Sequence, residues 1–231
     1  MLRTSSKRVF SKLRKCLPAI IKPGLLFVLA LWLLVLGGCS GNANQKELPY
    51  LGRDEVVEKN GQKDTIPHRI DDFRFIDQDS NVVTPSTFED KIYVADFFFT
   101  SCPTICPTMK KQMKRVYDKY KDNRNVALLS HSIDPAHDSV PVLKEYAQDM
   151  QVSSDTWHFI TGKKDSIYGI AESYMVSAKE DQSAPGGFVH SGAFILVDKN
   201  RHIRGVYDGT SRKDVNQLMK DMEVLLKEEK S

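Results

Sequence analysis

The nine residues IYVADFFFT, at positions 92–100, constrain this chain more than any other stretch. A strand so apolar on both faces has to run through the middle of a sheet, with cover above and below. Short strand patterns lie ahead of it at 74–77 and 81–84. A helix follows, because Ile105, Met109, Met113, Val116, Tyr117 and Tyr120 recur at spacings of three and four while Lys110, Lys111, Lys114 and Asp118 fall on other faces. The chain then reads as strand 126–133, helix 140–150, strand 157–161 and helix 164–174. It closes with strand 192–198, a turn at Lys199-Asn200, strand 202–208 and a helix over 212–227. Alternating strands and helices favour βαβ units and a largely parallel sheet, whereas the last two strands, joined by a tight turn, form an antiparallel hairpin. The expected class is therefore α/β, with a mixed central sheet flanked by helices. There is no internal repeat and no low-complexity segment.

The amino-terminal region has a different character. Seven Lys/Arg and no Asp or Glu occupy residues 1–38, and within them runs the apolar stretch GLLFVLALWLLVLGG, residues 24–38. That stretch is short for a membrane span and ends in small residues, as a secretory signal does. The junction Leu36-Gly37-Gly38-Cys39 resembles a bacterial lipobox, which implies cleavage before Cys39 and a diacylglycerol on its thiol. An uncleaved anchor helix is the competing reading, and both export the remainder. The expected organisation is a lipoprotein signal peptide at 1–38, a polar tether at 39–69 with a small hairpin turned at Asn60-Gly61, and one domain at 70–231. Such a protein is lipid-anchored to a bacterial membrane and faces the periplasm or the cell exterior. Ser40 lacks the aspartate associated with inner-membrane retention. The formal charge of +3 comes from the leader: removing its seven cations from the 33 Lys/Arg leaves 26 against 30 Asp/Glu, about −4. No nucleic-acid partner is expected.

Of the four cysteines, Cys16 lies in the leader and Cys39 at the lipobox, which leaves Cys102 and Cys106 in TSCPTICPTM. A disulfide closing so small a loop gains little chain entropy, which argues against a structural staple. A redox couple and a soft-metal clamp remain, and spacing does not choose between them. Each cysteine precedes a proline, Pro103 or Pro107, and such a residue is pushed out of the α region. Both cysteines are thus expected to be extended, with the helix starting near Pro107 and its N-terminus lowering the thiol pKa. His190, in GGFVHSGAF, lies just ahead of the last hairpin. An imidazole facing two thiolates would form a Cys2His set suited to Cu(I), whereas zinc would want a fourth ligand. Taken by itself, a lone histidine entering a strand is more often packed or solvated. Met109 and Met113 share the core stripe of their helix and read as packing. His131 sits in a strand pattern, His137 and His158 have no partner nearby in sequence, and His68 and His202 read as surface residues.

A cysteine pair at the exit of a central strand, ahead of a helix, resembles the thioredoxin plan, in which ligand chemistry gathers at the carboxyl ends of strands. TSCPTICPTM, SIDPAHD (132–138) and FVHSGAFILVD (188–198) together resemble the Sco family, also called SenC/PrrC, over residues 70–227. The resemblance implies a thioredoxin-like domain that binds one copper through Cys102, Cys106 and His190; the donor set favours Cu(I), with Cu(II) as the alternative. It further implies a metallochaperone that helps assemble the binuclear copper centre of cytochrome c oxidase, by delivering copper, by reducing that centre's cysteines, or both. The implied partners are the oxidase's copper-centre subunit or another copper or thiol protein. Some members act mainly as thiol-disulfide oxidoreductases. In that alternative Cys102 attacks an exported partner's disulfide and Cys106 resolves it. Asp134, before Pro135, and Asp138 match the family as well. They read as turn-forming and capping residues at a strand end, with an influence on the site from behind its ligands as a further expectation. A peroxidase is disfavoured, because nothing identifies a dedicated peroxidatic cysteine with an activating arginine.

Overall fold

Seven strands form one sheet through the middle of the protein, in the order β11 (Ile203–Asp208), β10 (Ala193–Val197), β5 (Ile92–Phe98), β6 (Val126–Ser132), β7 (Trp157–Thr161), β3 (Phe75–Asp77) and β4 (Val82–Val83). This computed structural model describes residues 47–228 apart from Asn60. The signal segment, the lipobox and Cys39 lie outside the described residues, and no described helix is long and apolar enough to cross a membrane. At the centre of the sheet stand β5 (Ile92–Phe98) and β6 (Val126–Ser132), buried at every position, as the apolar run requires. They pair in parallel, and β6 pairs in parallel with β7 (Trp157–Thr161). The intervening crossovers contain α1 (Cys106–Tyr120) and α2 (Val140–Asp149), while α3 (Lys164–Ser173) follows β7.

The sheet is mixed, as expected from the closing hairpin, and the opposite flank is antiparallel as well. β3 (Phe75–Asp77) pairs antiparallel with both β7 and β4 (Val82–Val83). β10 (Ala193–Val197) is antiparallel to both β5 and β11 (Ile203–Asp208). Each flank is a hairpin, which needs only a tight turn, whereas a parallel neighbour would need a further crossover. The last helix, α4 (Arg212–Glu228), packs beside α1, with Tyr120 Oη donating to the Met219 carbonyl at 2.9 Å.

Two cores result. On one face of the sheet, Met109 and Met113 of α1 and Tyr146 of α2 cover Phe98, Trp157 and Phe159. On the other, Phe73, Phe88 and Tyr174 pack around Tyr93, Phe97 and His131. Both methionines are thus packing residues, 2% and 0% exposed.

The hairpin expected at Asn60-Gly61 is present as β1 (Glu55–Lys59) and β2 (Gln62–Ile66), with Gly61 at φ +76° supplying the left-handed turn residue. The polar stretch around it is docked at both described ends. Leu48 is buried, the Leu51 amide donates to the Ile203 carbonyl at 2.9 Å, and the Ile70 amide donates to the Arg201 carbonyl at 2.9 Å. Arg204 accounts for the first of these attachments. Its guanidinium, 5% exposed, donates to the carbonyls of Leu48 and Pro49 as well as to Asp198 and Glu228. His68 and His202, expected at the surface, are half-buried. A ring nitrogen of each meets a backbone carbonyl, that of Ser173 at 2.7 Å and that of His68 at 2.8 Å.

Candidate metal centre

Where β5 ends, the chain leaves the sheet at its carboxyl edge and turns through Thr100–Ile105 into α1. The Cys102 amide donates to the Phe99 carbonyl at 3.3 Å, and the amides of Thr108 and Met109 donate to the Ile105 carbonyl at 3.0 Å. Cys106 is the first helical residue and Pro107 the second. The expectation that Cys106 is extended is thus corrected. The restriction before proline is a bias, and proline in the first turn of a helix forfeits only an amide that has no partner there in any case.

Cys102 and Cys106 are thiols outside any disulfide and are buried, 8% and 5% exposed. Their thiols hydrogen-bond to each other, and Cys102 Sγ lies 3.7 Å from Thr104 Oγ1. Burial pushes the Cys106 thiol well above its usual range, the bond to Cys102 adds to the shift, and a backbone hydrogen bond from Phe99 opposes it. The expected lowering by the helix N-terminus is overturned at this residue, because desolvation of a buried thiolate outweighs a terminal dipole.

A carboxylate missed by sequence reasoning lies beneath the pair. Asp96, 5% exposed in the middle of β5, accepts from Ser130 Oγ at 2.5 Å, and Ser130 Oγ in turn accepts from Trp157 Nε1 at 2.9 Å. Asp96 and Cys106 share the lining of a cavity of about 10 Å³ with Met109, Lys110, Met113 and Tyr146, room for about one water. The available signal was an acid inside an otherwise apolar strand.

The two aspartates of SIDPAHD have different surroundings. Asp138, 0% exposed, accepts from the Thr100 amide at 3.1 Å, Thr100 Oγ1 at 2.5 Å and Ser132 Oγ at 2.6 Å. It therefore ties the start of the cysteine loop to the end of β6. Asp134 caps its own turn: its carbonyl accepts from the amides of His137 and Asp138 at 3.1 and 2.8 Å.

The segment that carries His190 crosses the cysteine loop. β8 (Ala178–Glu180) and β9 (Phe188–His190) form a separate two-stranded sheet in which His190 pairs with Ala178. The side chain of His190 lies outside the description. Its backbone, however, sits between two contacts with the loop. Before it, Phe188 packs on Phe99 with ring centroids 5.0 Å apart, and a Cβ at Gly186, whose φ is +80°, would stand 2.9 Å from the Phe99 ring and 3.1 Å from Pro103 Cδ. After it, a Cβ at Gly192 would stand 3.5 Å from Ile105 Cδ1. The topology thus brings together Cys102, Cys106 and the His190 backbone. The other histidines lie elsewhere: His137 is exposed, His158 meets Asp77 Oδ2 at 3.0 Å, and His131 stacks on Phe97 with ring centroids 4.5 Å apart.

The family model SCO1/SenC matches residues 61–227. The chain belongs to the SCO1/SenC family. Among solved structures it is similar to a SCO1/SenC family lipoprotein from Bacillus anthracis, with 27% identity, TM-score 0.63, and coverage of 68% of this chain and 95% of that one. It is also similar to BsSco, described as a member of the Sco family of cytochrome c oxidase assembly proteins in which a disulfide switch was identified. There the identity is 27%, the TM-score 0.60 and the coverage 68% and 93%. A third is Arabidopsis thaliana ScoI with copper bound, with 25% identity, TM-score 0.57 and coverage 68% and 98%. The mixed sheet and its helices are accordingly the thioredoxin-like fold of Sco proteins.

Proposed function

We propose that this Sco-family chain is a copper chaperone that holds one copper through Cys102, Cys106 and His190 and serves the assembly of cytochrome c oxidase. The observation that carries the reading is a pair of reduced, mutually hydrogen-bonded thiols at the carboxyl end of the central strand, crossed by the His190 segment. Two sulfurs and one imidazole make a soft, low-coordinate set that fits Cu(I). Copper is cargo in this reading. Both cysteines give up their protons on loading, and a thiolate or imidazole of the partner then displaces the three ligands one at a time. Asp138 supports the set from behind by fixing Thr100, two residues before Cys102. The copper-bound Arabidopsis relative and the oxidase-assembly role given for BsSco support the assignment. The leader and the Bacillus anthracis lipoprotein relative support an exported chain anchored through a lipid on Cys39.

Reduced protein is expected to bind about one equivalent of copper, and His190→Ala to weaken that binding by about tenfold or more, on the scale of a lost ligand. Unchanged affinity in that variant would sink the histidine assignment. Oxidation to the Cys102–Cys106 disulfide should release copper, because it removes both thiolates. Tight Cu(I) binding by the oxidised chain would contradict this. Loss of oxidase activity in a deletion strain checks the biological role.

The adjacency of the thiols and the disulfide switch of BsSco favour a second reading, thiol-disulfide exchange. Cys102 attacks a partner disulfide, one partner thiol leaves, and Cys106 then attacks the mixed disulfide and releases the second. Full function after Cys106→Ser would count against it.

A further inference from the structure

We propose that the face made by α1 and the start of α4, beside the cysteine loop, is a docking surface for an acidic protein that bears a thiol or copper site. The proposal rests on the reading of Cys102 and Cys106 as the reactive pair.

Charge along the chain is strongly polarised. α1 holds five cations, Lys110, Lys111, Lys114, Arg115 and Lys119, against one acid, Asp118. From residue 39 onward the rest of the chain holds 21 Lys/Arg (26 − 5) and 29 Asp/Glu (30 − 1). One helix at about +4 thus stands out from a remainder at about −8.

The cations are spread along α1 from Lys110, one turn after Cys106, to Lys119 in its last turn. Lys110 follows Cys106 by one turn, with its ammonium 4.1 Å from the centroid of the Tyr146 ring, and lines the cavity that Cys106 lines. Lys111 is exposed and follows Cys106 by five residues, on the side of α1 turned away from the core. α4 adds to the patch. Arg115 donates to Asn216 and Lys119 pairs with Glu223, each at 2.5 Å, so the two helices run side by side from the cysteine end. That register sets the exposed Arg212 and Lys213 level with Lys111.

Among the described residues none of these three makes an ion pair, whereas Asp118 is paired with Lys114. Asp208, at the end of β11, and Asp214, in the first turn of α4, are the counter-charges that remain. Unneutralised cations on one side of a reactive site attract an anionic partner and orient its approach.

The test is the rate at which reduced full-length protein, in neutral detergent, reacts with three disulfides: dianionic glutathione disulfide, uncharged bis(2-hydroxyethyl) disulfide and dicationic cystamine. Each reaction forms the Cys102–Cys106 disulfide and releases two probe thiols. Relative to the uncharged probe, the anionic one should react about three- to tenfold faster than the cationic one at low salt, with the ratio falling toward one near 0.5 M salt. In Lys111→Glu/Arg212→Glu, two exposed positions with little bearing on stability, the preference should reverse. An anionic-to-cationic ratio at or below one in the wild type, or one untouched by the double variant, would overturn the surface. Failure of the uncharged probe to react would instead count against the exchange reading of the cysteines. The surface is then judged by salt-sensitive binding to a polyglutamate peptide, which the double variant should lose. Absence of that binding in the wild type overturns the proposal.

Discussion

Asp138 accepts three hydrogen bonds from a position with no solvent exposure, and two of them come from Thr100. Asp138→Ala would leave the Thr100 amide and hydroxyl and the Ser132 hydroxyl without their acceptor. The expected cost is about 2–3 kcal/mol in denaturant unfolding, with faster amide exchange at Thr100, and Asp138→Asn should recover part of both. His131 behaves differently, since burial holds its pKa down to about 3 and its Nε2 has no partner among the described residues. The folded state keeps this imidazole neutral while the unfolded chain takes up a proton below about pH 6.5. Stability is therefore full above that pH and falls as pH drops toward 3, by up to about 1.4 kcal/mol per unit. Burial lowers His158 as well, against the opposing pull of Asp77, so it adds to the same trend. Urea titrations between pH 7 and 4 should show this slope, and His131→Phe should flatten it.

At the scale of elements, the small sheet β8–β9 is the piece that periodicity does not reveal, because two three-residue strands are too short to show a pattern. Its attachment depends on Gly186. At φ +80°, a Cβ there would lie 2.9 Å from the Phe99 ring and 3.1 Å from Pro103 Cδ. Gly186→Ala should cost about 1–3 kcal/mol of local stability and lift the segment from the cysteine loop, read as faster exchange at the Val189 amide with β5 and β6 unaffected. The main helices and strands, in contrast, lie within a few residues of their periodicities: β7 spans 157–161 as read, and α4 ends one residue beyond the expected 227.

Across the whole molecule, Arg204 links the incoming chain at Leu48 and Pro49 to Asp198 and to Glu228 at the end of α4. Its guanidinium is buried and bonded to all four, so Arg204→Met should cost about 3–5 kcal/mol and expose residues 47–54 to limited proteolysis. Intact resistance in that segment would show that the burial of Leu48 and the Leu51–Ile203 hydrogen bond suffice to hold it.

Much of this was legible in the residues themselves: the apolar run at 92–100 demanded a central strand, the stripe from Ile105 to Tyr120 demanded a helix packed on it, and three motifs pointed to one family. Those signals are local, since periodicity and short motifs depend only on neighbours along the chain. What tertiary structure decided depended on burial and on contacts between distant residues. Burial raised the Cys106 thiol against the helix dipole, and Asp138 joined to Thr100 across 38 positions. Asp96 came to lie beneath the thiols, and Arg204 captured Leu48 from 156 positions away. Desolvation and long-range hydrogen bonding exist only once the chain has closed on itself, and they fix the environment in which the two cysteines act.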